Sequence, residues 1–394
     1  MQPIMLVVGT RPEGIKMMPL YFALKKSSIP VYLCSTSQHD TLLAQVFEVF
    51  GVKPDYDLSI MQAGQDLFHI TNAILIGMKK VYELINPSMV LVQGDTTTVM
   101  AAALAAFYKH IPVGHVEAGL RTGDMQAPYP EEMNRVFLGI IADLHFAPTA
   151  YSAAHLLAEG KKRESVFCTG NTVVDALRMM QEKIIDNEII IDQSLKRIVE
   201  HAHLLSQNII LLTAHRRESY DNGGIVRILQ AVKEYAKNHP ELLFIFPAHP
   251  NPHVIQAIEL VALHEVKTIK IIPAVIYKDL VYLLMQVSAV ITDSGGIQEE
   301  AISLGKPTIV VREKSERMEG VWQGLAELVG TDKQAIKVAL DKALLKNEHK
   351  NQHNAVYGDG YAAEKIVRII QMYEKKRVSE QAFLFDLHHE QKRL

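Results

Sequence analysis

The stretch MVLVQGDTTTVMAAALAAFYKHIPVGHVE (89–117) contains two kinds of pattern in alternation. An apolar run ends at Gly94, an Ala-rich segment follows from Asp95 to Lys109, and a second apolar run ends at Glu117. Consecutive apolar positions are typical of parallel strands buried on both faces, whereas Ala, Leu and Met favour helix. Strand, helix and strand in this order predict a right-handed βαβ unit of a doubly wound sheet.

The same alternation continues on both sides of this stretch. Apolar runs predict strands at 3–9, 31–36, 144–148 and 165–170, and helical patterns occupy 40–50 and 66–85. After a polar stretch at 186–207, new strands are predicted at 208–215, 242–249, 266–273, 288–296 and 306–311. We therefore predict the α/β class, with two Rossmann-like doubly wound domains facing across a cleft. The predicted boundaries are 1–170, 171–358, a helix at 359–377 packing back on the first domain, and a tail of unknown structure at 378–394.

The composition is that of a globular protein, with 48% hydrophobic and 22% charged residues. A formal net charge of −3 does not favour a nucleic acid or an acidic membrane as partner. No apolar run approaches the roughly 18 residues that span a bilayer, and the N-terminus has the pattern of a strand, so we expect a cytoplasmic protein. Cys34 and Cys168 both lie in apolar runs and are expected to be buried thiols.

Charged residues follow the predicted strands in both halves of the chain. Arg11 and Glu13 follow the first strand, while Asp95 and Glu117 follow the two strands of the opening stretch. In the second half, His215 follows NIILLTA and the motif DSGG (293–296) follows SAVIT. Since open parallel sheets bind ligands beyond the carboxyl ends of their strands, both sets are expected to line the cleft.

Two strand-to-helix turns have features of phosphate sites. In GTRPEGIK (9–16), Arg11 and Lys16 can direct two cations at an anion near a helix N-terminus, although a salt-bridged helix start explains the pattern equally well. In DSGGIQEEA (293–301), backbone N–H groups of 294–296 can hold a phosphate and Glu300 can bind a ribose diol. A helix cap with a solvated acidic face is the alternative there. HRRES (215–219) adds an imidazole and two guanidiniums, which suit phosphate binding or acid–base chemistry.

Three carboxylates, Asp95, Glu117 and Glu131, could act as acids and bases because clustered carboxylates raise one another's pKa. The alternatives are purely structural roles: an N-cap for Asp95, and acidic residues in the first turn of a helix for Glu131 and Glu132. No metal-binding spacing such as HExxH accompanies them. The residues alone thus indicate a phosphorylated, negatively charged ligand in an interdomain cleft with acid–base groups nearby, and they leave the reaction open.

Nine motifs, in order from residue 9 to about 320, carry a family resemblance. They are GTRPEGIKMMP, QGDTTT, HVEAGLRTGD with PYPEEMNR, ADLHFAPT, GNTVVDAL, AHRRES, TDSGGIQEEA, LGKP and ER (316–317). Together they resemble the non-hydrolysing UDP-N-acetylglucosamine 2-epimerases over nearly the whole chain.

This resemblance implies a GT-B-like fold and the reversible conversion of UDP-GlcNAc to UDP-ManNAc, by elimination of UDP to 2-acetamidoglucal and re-addition. It implies use in cell-surface polysaccharide synthesis, no cofactor or metal, and a homodimer. A hydrolysing relative that releases ManNAc, or a 2-epimerase of a modified UDP-HexNAc, is the alternative. The residues implied as catalytic are Asp95, Glu117, Glu131 and His215, and those implied to bind substrate are Arg11, Lys16, Arg135, Ser294, Gly295, Gly296, Glu300 and Arg317.

The sequence departs from the family pattern in two places. Val275 and Leu280 occupy positions that usually carry a Gln and an aromatic residue around the uracil. In SQHDTLL (37–43), Gln38 and His39 match the regulatory UDP-GlcNAc site of the family, whereas Asp40, Thr41 and Gly64 do not. We therefore expect epimerisation without activation by UDP-GlcNAc, which hyperbolic kinetics in the UDP-ManNAc direction would show. A requirement for added UDP-GlcNAc would refute that expectation.

Overall fold

The computed structural model describes residues 2–38, 40–62, 64–216, 223–346 and 354–391. Two parallel β-sheets with helices on both faces form the structure, one sheet from each half of the chain. This confirms the predicted α/β class with two doubly wound domains. His39 and residues 217–222, which the sequence motifs had singled out in part, lie outside the described residues.

The first sheet has seven strands in the order β3-β2-β1-β4-β5-β6-β7, and every pair is parallel. Its four central strands are completely buried, which explains their uninterrupted apolar runs. The seven strands are β1 (Ile4–Val8), β2 (Val31–Ser35), β3 (Tyr56–Asp57), β4 (Met89–Gln93), β5 (Val113–Val116), β6 (Leu144–Ala147) and β7 (Val166–Cys168).

The second sheet has six strands in the order β10-β9-β8-β11-β12-β13, again all parallel. This order repeats that of the first sheet from β3 to β6, so the two halves share one topology. The strands are β8 (Asn208–Thr213), β9 (Leu242–Ala248), β10 (Ile269–Pro273), β11 (Ala289–Thr292), β12 (Thr308–Val310) and β13 (Ala326–Leu328).

Fifteen α-helices in the described residues connect and cover the strands. In the first half they are α1 (Arg11–Lys26), α2 (Asp40–Phe50), α3 (Leu67–Ile85), α4 (Thr97–Tyr108), α5 (Glu131–Ile141), α6 (Ala150–Ala158), α7 (Thr172–Ile185) and α8 (Gln193–Leu204). In the second half they are α9 (Gly224–Asn238), α10 (Pro252–Val261), α11 (Tyr277–Gln286), α12 (Gly295–Ser303), α13 (Glu319–Trp322), α14 (Lys333–Lys346) and α15 (Ala362–Gln391).

Each sheet reverses its strand order at one point, between β1 and β4 in the first and between β8 and β11 in the second. Loops leave in opposite directions at such a switch point and open a crevice at the carboxyl ends of the strands. Residues 9–13 and Asp95 follow β1 and β4, and His215 and Asp293 follow β8 and β11. The fold thus places the predicted polar clusters at both switch points.

The two halves are joined by apolar packing. They are also joined at two adjacent crossings, near residues 170 and 358, where the chain passes from one half to the other. Helix α7 packs against α1 of the first half and against α11 and α12 of the second, and α15 returns to pack against α1 and α7. At the crossings, the backbone N–H of Asn171 donates to the carbonyl of Tyr357 over 2.7 Å. Gly170 and Gly358 touch there at positive φ, a conformation and a closeness that suit glycine.

Some predictions about single elements are wrong. The short strands β3 and β13 and helix α8 were not predicted, because two- and three-residue strands carry little pattern and α8 is largely polar. Cys168 is exposed because β7 is the edge strand of its sheet, whereas Cys34 is buried as expected. Helix α15 continues to Gln391 through most of the stretch left unassigned.

Candidate active site

A cavity of about 270 Å³ lies between the two halves, at the carboxyl ends of both sheets. Arg11 and Lys16 of α1 line one side, and His215 and His249, which follow β8 and β9, line the other. Ser294, Gly296 and Glu300 of the β11–α12 segment complete it. Six of the residues predicted for the site therefore meet in one cavity.

The turn at the start of α12 has the geometry of an anion site. Ser294 is the N-cap residue, and its hydroxyl makes no capping hydrogen bond. The first N–H groups of α12 have no partner inside the helix, and the helix dipole adds positive potential at this end. Gly296 leaves open space beside the backbone, because a Cβ there would meet no atom within 4 Å. A phosphate can approach this backbone closely.

Gly295 is required for a different reason, its contact with Arg317. A Cβ on Gly295 would lie 2.4 Å from Nη1 of Arg317. The guanidinium is held by three carboxylates: Glu117 Oε1 lies 3.1 Å from Nη2, Glu299 Oε1 lies 2.9 Å from Nε, and Glu316 contacts Nη1. Arg317 thus lies directly beneath the turn at 294–296, inside the protein.

Glu117 is the centre of a buried ionic cluster that spans the two halves. It directly follows β5, has a positive φ of 65° and is 6% exposed. Its Oε2 accepts hydrogen bonds from Lys16, from Gln93 Nε2 at 2.8 Å and from Asn171 Nδ2 at 3.3 Å, while Oε1 accepts from Arg317. The strained backbone directs the carboxylate into this set of donors.

Lys16 serves the same cluster. Besides its contact with Glu117, its Nζ lies 3.7 Å from Glu299 Oε2. Burial disfavours the ammonium, but the two carboxylates outweigh this effect and raise its pKa. Lys16 therefore remains charged, with its charge directed at carboxylates.

Asp95 and Glu131 form a second acidic pair, closer to solvent. Asp95 Oδ2 accepts from Arg135 Nε over 2.8 Å, and its side chain is 27% exposed. Glu131 begins α5, and its Oε2 has no hydrogen-bond partner among the described residues. Burial and the charge of Asp95 raise the pKa of Glu131. Of the three predicted catalytic carboxylates, these two are the less constrained.

The N-cap alternative for Asp95 is wrong. Helix α4 begins at Thr97, and its N-cap is Thr96, whose Oγ1 accepts the N–H of Val99 over 3.4 Å. The carboxylate of Asp95 is instead paired with Arg135, which also binds Glu132 Oε2 at 2.8 Å.

His215 lies on the opposite side of the cleft. Its ring is stacked on that of His249, with 5.4 Å between centroids and an interplanar angle of 11°. Its Nδ1 lies 3.4 Å from Oδ1 of the buried Asp293. The neighbouring Arg216 is close enough to Glu131 to oppose the rise of its pKa. Elements of the two halves therefore approach each other around the acidic pair.

Glu300 and Arg11 line the cavity and influence each other's charge. Burial raises the pKa of Glu300 to about 7, with the Tyr277 hydroxyl and Arg11 opposing the shift. Burial lowers the pKa of Arg11, whose Nη2 donates to the carbonyl of Val275 over 3.1 Å. Val275 and Leu280, the positions that depart from the family pattern, line the same cavity together with Tyr277.

Several residues of the site were not predicted from the sequence. Glu299, which binds both Arg317 and Asn171, lies beside the predicted Glu300, and Asn171 belongs to the motif GNTVVDAL. Glu13 was expected to line the cleft; it is instead buried and accepts hydrogen bonds from Gly9 N at 2.7 Å, Thr10 Oγ1 at 2.8 Å and Thr96 Oγ1 at 2.7 Å, partners that the sequence did not reveal. Their presence in the motifs was the available signal; nothing in the spacing showed that they point inward.

Metal sites and membrane spans were sought in the described residues alone. No three His, Cys, Asp or Glu side chains are grouped there so as to hold a metal ion. No helix in those residues is both long and apolar enough to cross a bilayer.

Two doubly wound sheets, with acidic groups at the switch point of the first and a glycine turn at the switch point of the second, define an α/β protein of the GT-B-like architecture. The model of the protein family described as "UDP-N-acetylglucosamine 2-epimerase" matches residues 23–371 of the chain. The chain belongs to this family, which confirms the resemblance seen in its motifs.

Relatives agree with this assignment over nearly the whole chain. A UDP-N-acetylglucosamine 2-epimerase of Campylobacter jejuni is 44% identical over 372 residues, covering 93% of this chain and 97% of the relative. One from Escherichia coli K12 is 43% identical over 384 residues, covering 95% and 99%. Among solved structures, the UDP-GlcNAc 2-epimerase of Neisseria meningitidis bound to UDP-GlcNAc has a TM-score of 0.86, 40% identity and coverage of 94% and 100%. S. aureus MnaA with UDP has a TM-score of 0.86 and 39% identity, covering 95% of this chain and 97% of that one.

Proposed function

We propose that the chain interconverts UDP-GlcNAc and UDP-ManNAc without hydrolysing either. The observation that carries this proposal is the juxtaposition at the two switch points. A phosphate turn at 294–296 shares one cavity with Arg11 and His215, and the acidic pair Asp95 and Glu131 lies on the facing half. A nucleotide sugar that places its diphosphate on the turn extends its hexose toward the acids.

The reaction must break a C–H bond that is not acidic, because C2 of the hexose bears no carbonyl. Elimination solves this difficulty. A base takes the C2 proton, the C–H electrons form the C1=C2 double bond, and the C1–O bond breaks with its electrons leaving on the β-phosphate of UDP. The products are 2-acetamidoglucal and UDP, both held in the cleft. Re-addition of UDP to C1, with protonation of C2 from the opposite face, gives the epimer.

We assign the proton steps to Asp95, Glu131 and His215, which approach the cleft from two sides. An acid–base group is most effective when its pKa lies near the working pH, and the raised pKa of Glu131 fits that role. Arg11 and the first N–H groups of α12 stabilise the departing diphosphate. Glu117 acts by holding the charges of Lys16 and Arg317 beneath the phosphate turn. Glu300 binds the ribose.

The product formed from UDP-GlcNAc in D₂O tests this proposal. We expect ¹H and ³¹P NMR to show a mixture of UDP-GlcNAc and UDP-ManNAc with deuterium at C2. Free ManNAc with UDP would favour the hydrolysing alternative, and an epimer without deuterium would contradict proton removal at C2. The variant Asp95→Asn tests the role of the carboxylate. Its amide oxygen still accepts a hydrogen bond from Arg135, so it should bind UDP, but it cannot take part in proton transfer and should lose turnover.

We also propose that the chain forms a homodimer in the cytoplasm, where nucleotide sugars are available. The neighbouring helices α3, α4 and α5 expose large apolar side chains, which are Phe68, Ile76, Phe107, Tyr108 and Ile140. Large apolar side chains exposed on helices that pack together suit a protein interface. Light scattering should give twice the mass of 44.1 kDa for the natural chain and the single mass for Phe68→Asp. A monomeric natural chain would refute this part.

A further inference from the structure

Asp293 has two carboxylate oxygens with different surroundings. The residue follows β11 and is completely buried. Its Oδ2 accepts the backbone N–H groups of His215 at 2.6 Å and of Arg216 at 2.7 Å. This oxygen fastens the segment after β8 to the end of β11, across the switch point of the second sheet.

The other oxygen, Oδ1, has no hydrogen-bond partner among the described residues. A buried carboxylate oxygen without a donor is costly, so such an atom requires an explanation. The side-chain nitrogen facing it is Nδ1 of His215, at 3.4 Å. A small rotation of the imidazole closes this gap to the roughly 2.8 Å of a charge-assisted hydrogen bond.

His249 is stacked on one face of the same imidazole. The two rings are nearly parallel, and Nδ1 of His249 accepts the N–H of Asn251 over 3.2 Å. Burial and the neighbouring His215 lower the pKa of His249, which favours its neutral form. His215 is thus held between a neutral ring and a buried carboxylate, and it still lines the cavity.

We propose that Asp293 is a positioning residue for His215. It accepts the proton on Nδ1 and so leaves Nε2, on the far side of the ring, as the nitrogen presented to the cleft. The inference rests on the proposed function, because it specifies which nitrogen of His215 exchanges a proton during epimerisation. A buried carboxylate that fixes the tautomer of a catalytic imidazole is an arrangement known from other enzymes.

Asp293→Asn tests the proposal because it changes the tautomer of His215 and preserves the hydrogen bonds from the backbone of His215 and Arg216. The amide oxygen of Asn can still accept both backbone N–H groups, and its NH₂ group then faces Nδ1 of His215 as a donor. The proton of the neutral ring must move to Nε2. By analogy with such dyads, we expect kcat to fall by about 10²- to 10⁴-fold while KM and the Kd of UDP change less than about threefold.

The tautomer is read directly by ¹⁵N NMR of the histidine-labelled protein, with His215 assigned by its loss in His215→Gln. The natural protein should carry the proton on Nδ1 of His215 and Asp293→Asn on Nε2. The control Asp55→Asn removes a carboxylate that also accepts a backbone N–H, from Leu33 at 2.8 Å, and should change neither the His215 signal nor kcat.

A proton on Nε2 in the natural protein would overturn the proposal, and so would an unchanged tautomer in Asp293→Asn. The spectrum of the natural protein decides the question even if the variant does not fold. Absence of epimerisation with Nδ1 protonated would refute the proposed function and leave the positioning role intact.

Discussion

Glu117→Gln removes one charge from the buried cluster and alters its shape little. Glu117 binds Lys16 and Arg317, and both cations remain buried in the variant. At an effective dielectric constant of about 20, two unit charges separated by the 3.1 Å of the Glu117–Arg317 pair attract each other by about 5 kcal/mol before desolvation is counted. For Lys16, the carboxylate that remains is Glu299, at 3.7 Å.

Breaking a buried ion pair by removing one partner costs about 3–5 kcal/mol, because the other charge stays buried with less compensation. A chain of 394 residues unfolds with an entropy of roughly 2 cal/mol/K per residue near 60 °C, so this loss corresponds to a melting temperature lower by about 4–6 °C. We expect kcat to fall at least about 100-fold as well, because Arg317 lies beneath the phosphate turn and loses its position.

Differential scanning calorimetry measures the change in melting temperature, and a coupled assay of UDP-ManNAc formation measures the change in kcat. The matched control is Glu83→Gln, which removes a carboxylate paired with Lys109 on the surface, where the pair is screened by water. Its melting temperature and kcat should equal those of the natural chain within error. If Glu117→Gln behaved like this control, the cluster would not stabilise the interdomain contact and the reasoning would be refuted.

Three further predictions concern the phosphate turn, the buried acids and the cavity. Gly295→Ala should lower the melting temperature because its Cβ meets the immobilised Arg317, at a cost of about 1–3 kcal/mol, whereas Gly296→Ala should leave the melting temperature unchanged and weaken UDP binding; equal melting temperatures would contradict the packing argument. Burial raises the pKa of Glu13 from 4.5 to about 7, against its three hydrogen bonds, so the folded state holds a proton that the unfolded chain releases and stability falls as pH rises through this window. Between pH 4.5 and 7.5, the free energy of unfolding should fall by about 3 kcal/mol less in Glu13→Gln than in the natural chain. Denaturant unfolding curves that give the same fall in both proteins would refute the assignment. Arg11→Gln should weaken UDP binding about 10- to 100-fold by calorimetry, through loss of a charge-assisted contact, and an unchanged Kd would show that Arg11 does not contact the phosphates.

The fold could be predicted from the sequence because parallel strands buried on both faces leave uninterrupted apolar runs. MVLVQG and NIILLT became central strands at the two switch points, and the charged residues after them fell at the cleft. The prediction failed where a strand is short or lies at an edge, as for Tyr56–Asp57, Ala326–Leu328 and the exposed Cys168.

The site could be predicted as a set of residues, but not as an arrangement. Glu117, Lys16 and Arg317 look like three polar residues on separate elements, and only tertiary packing unites them in a buried cluster. The partner of Asp95 was equally hidden, since Arg135 lies 40 residues further along the chain. Local patterns report which side of an element is buried, whereas pairing between distant charges depends on the fold.

A crystal structure of Asp95→Asn with UDP-GlcNAc tests the central claim most directly. We expect the diphosphate on the turn at 294–296. We expect C2 of the hexose within about 4 Å of the substituted side chain at position 95 or of Glu131 on one face, with His215 on the other side of the ring. A hexose bound outside the cleft, or one reached by groups from only one half of the chain, would contradict the account.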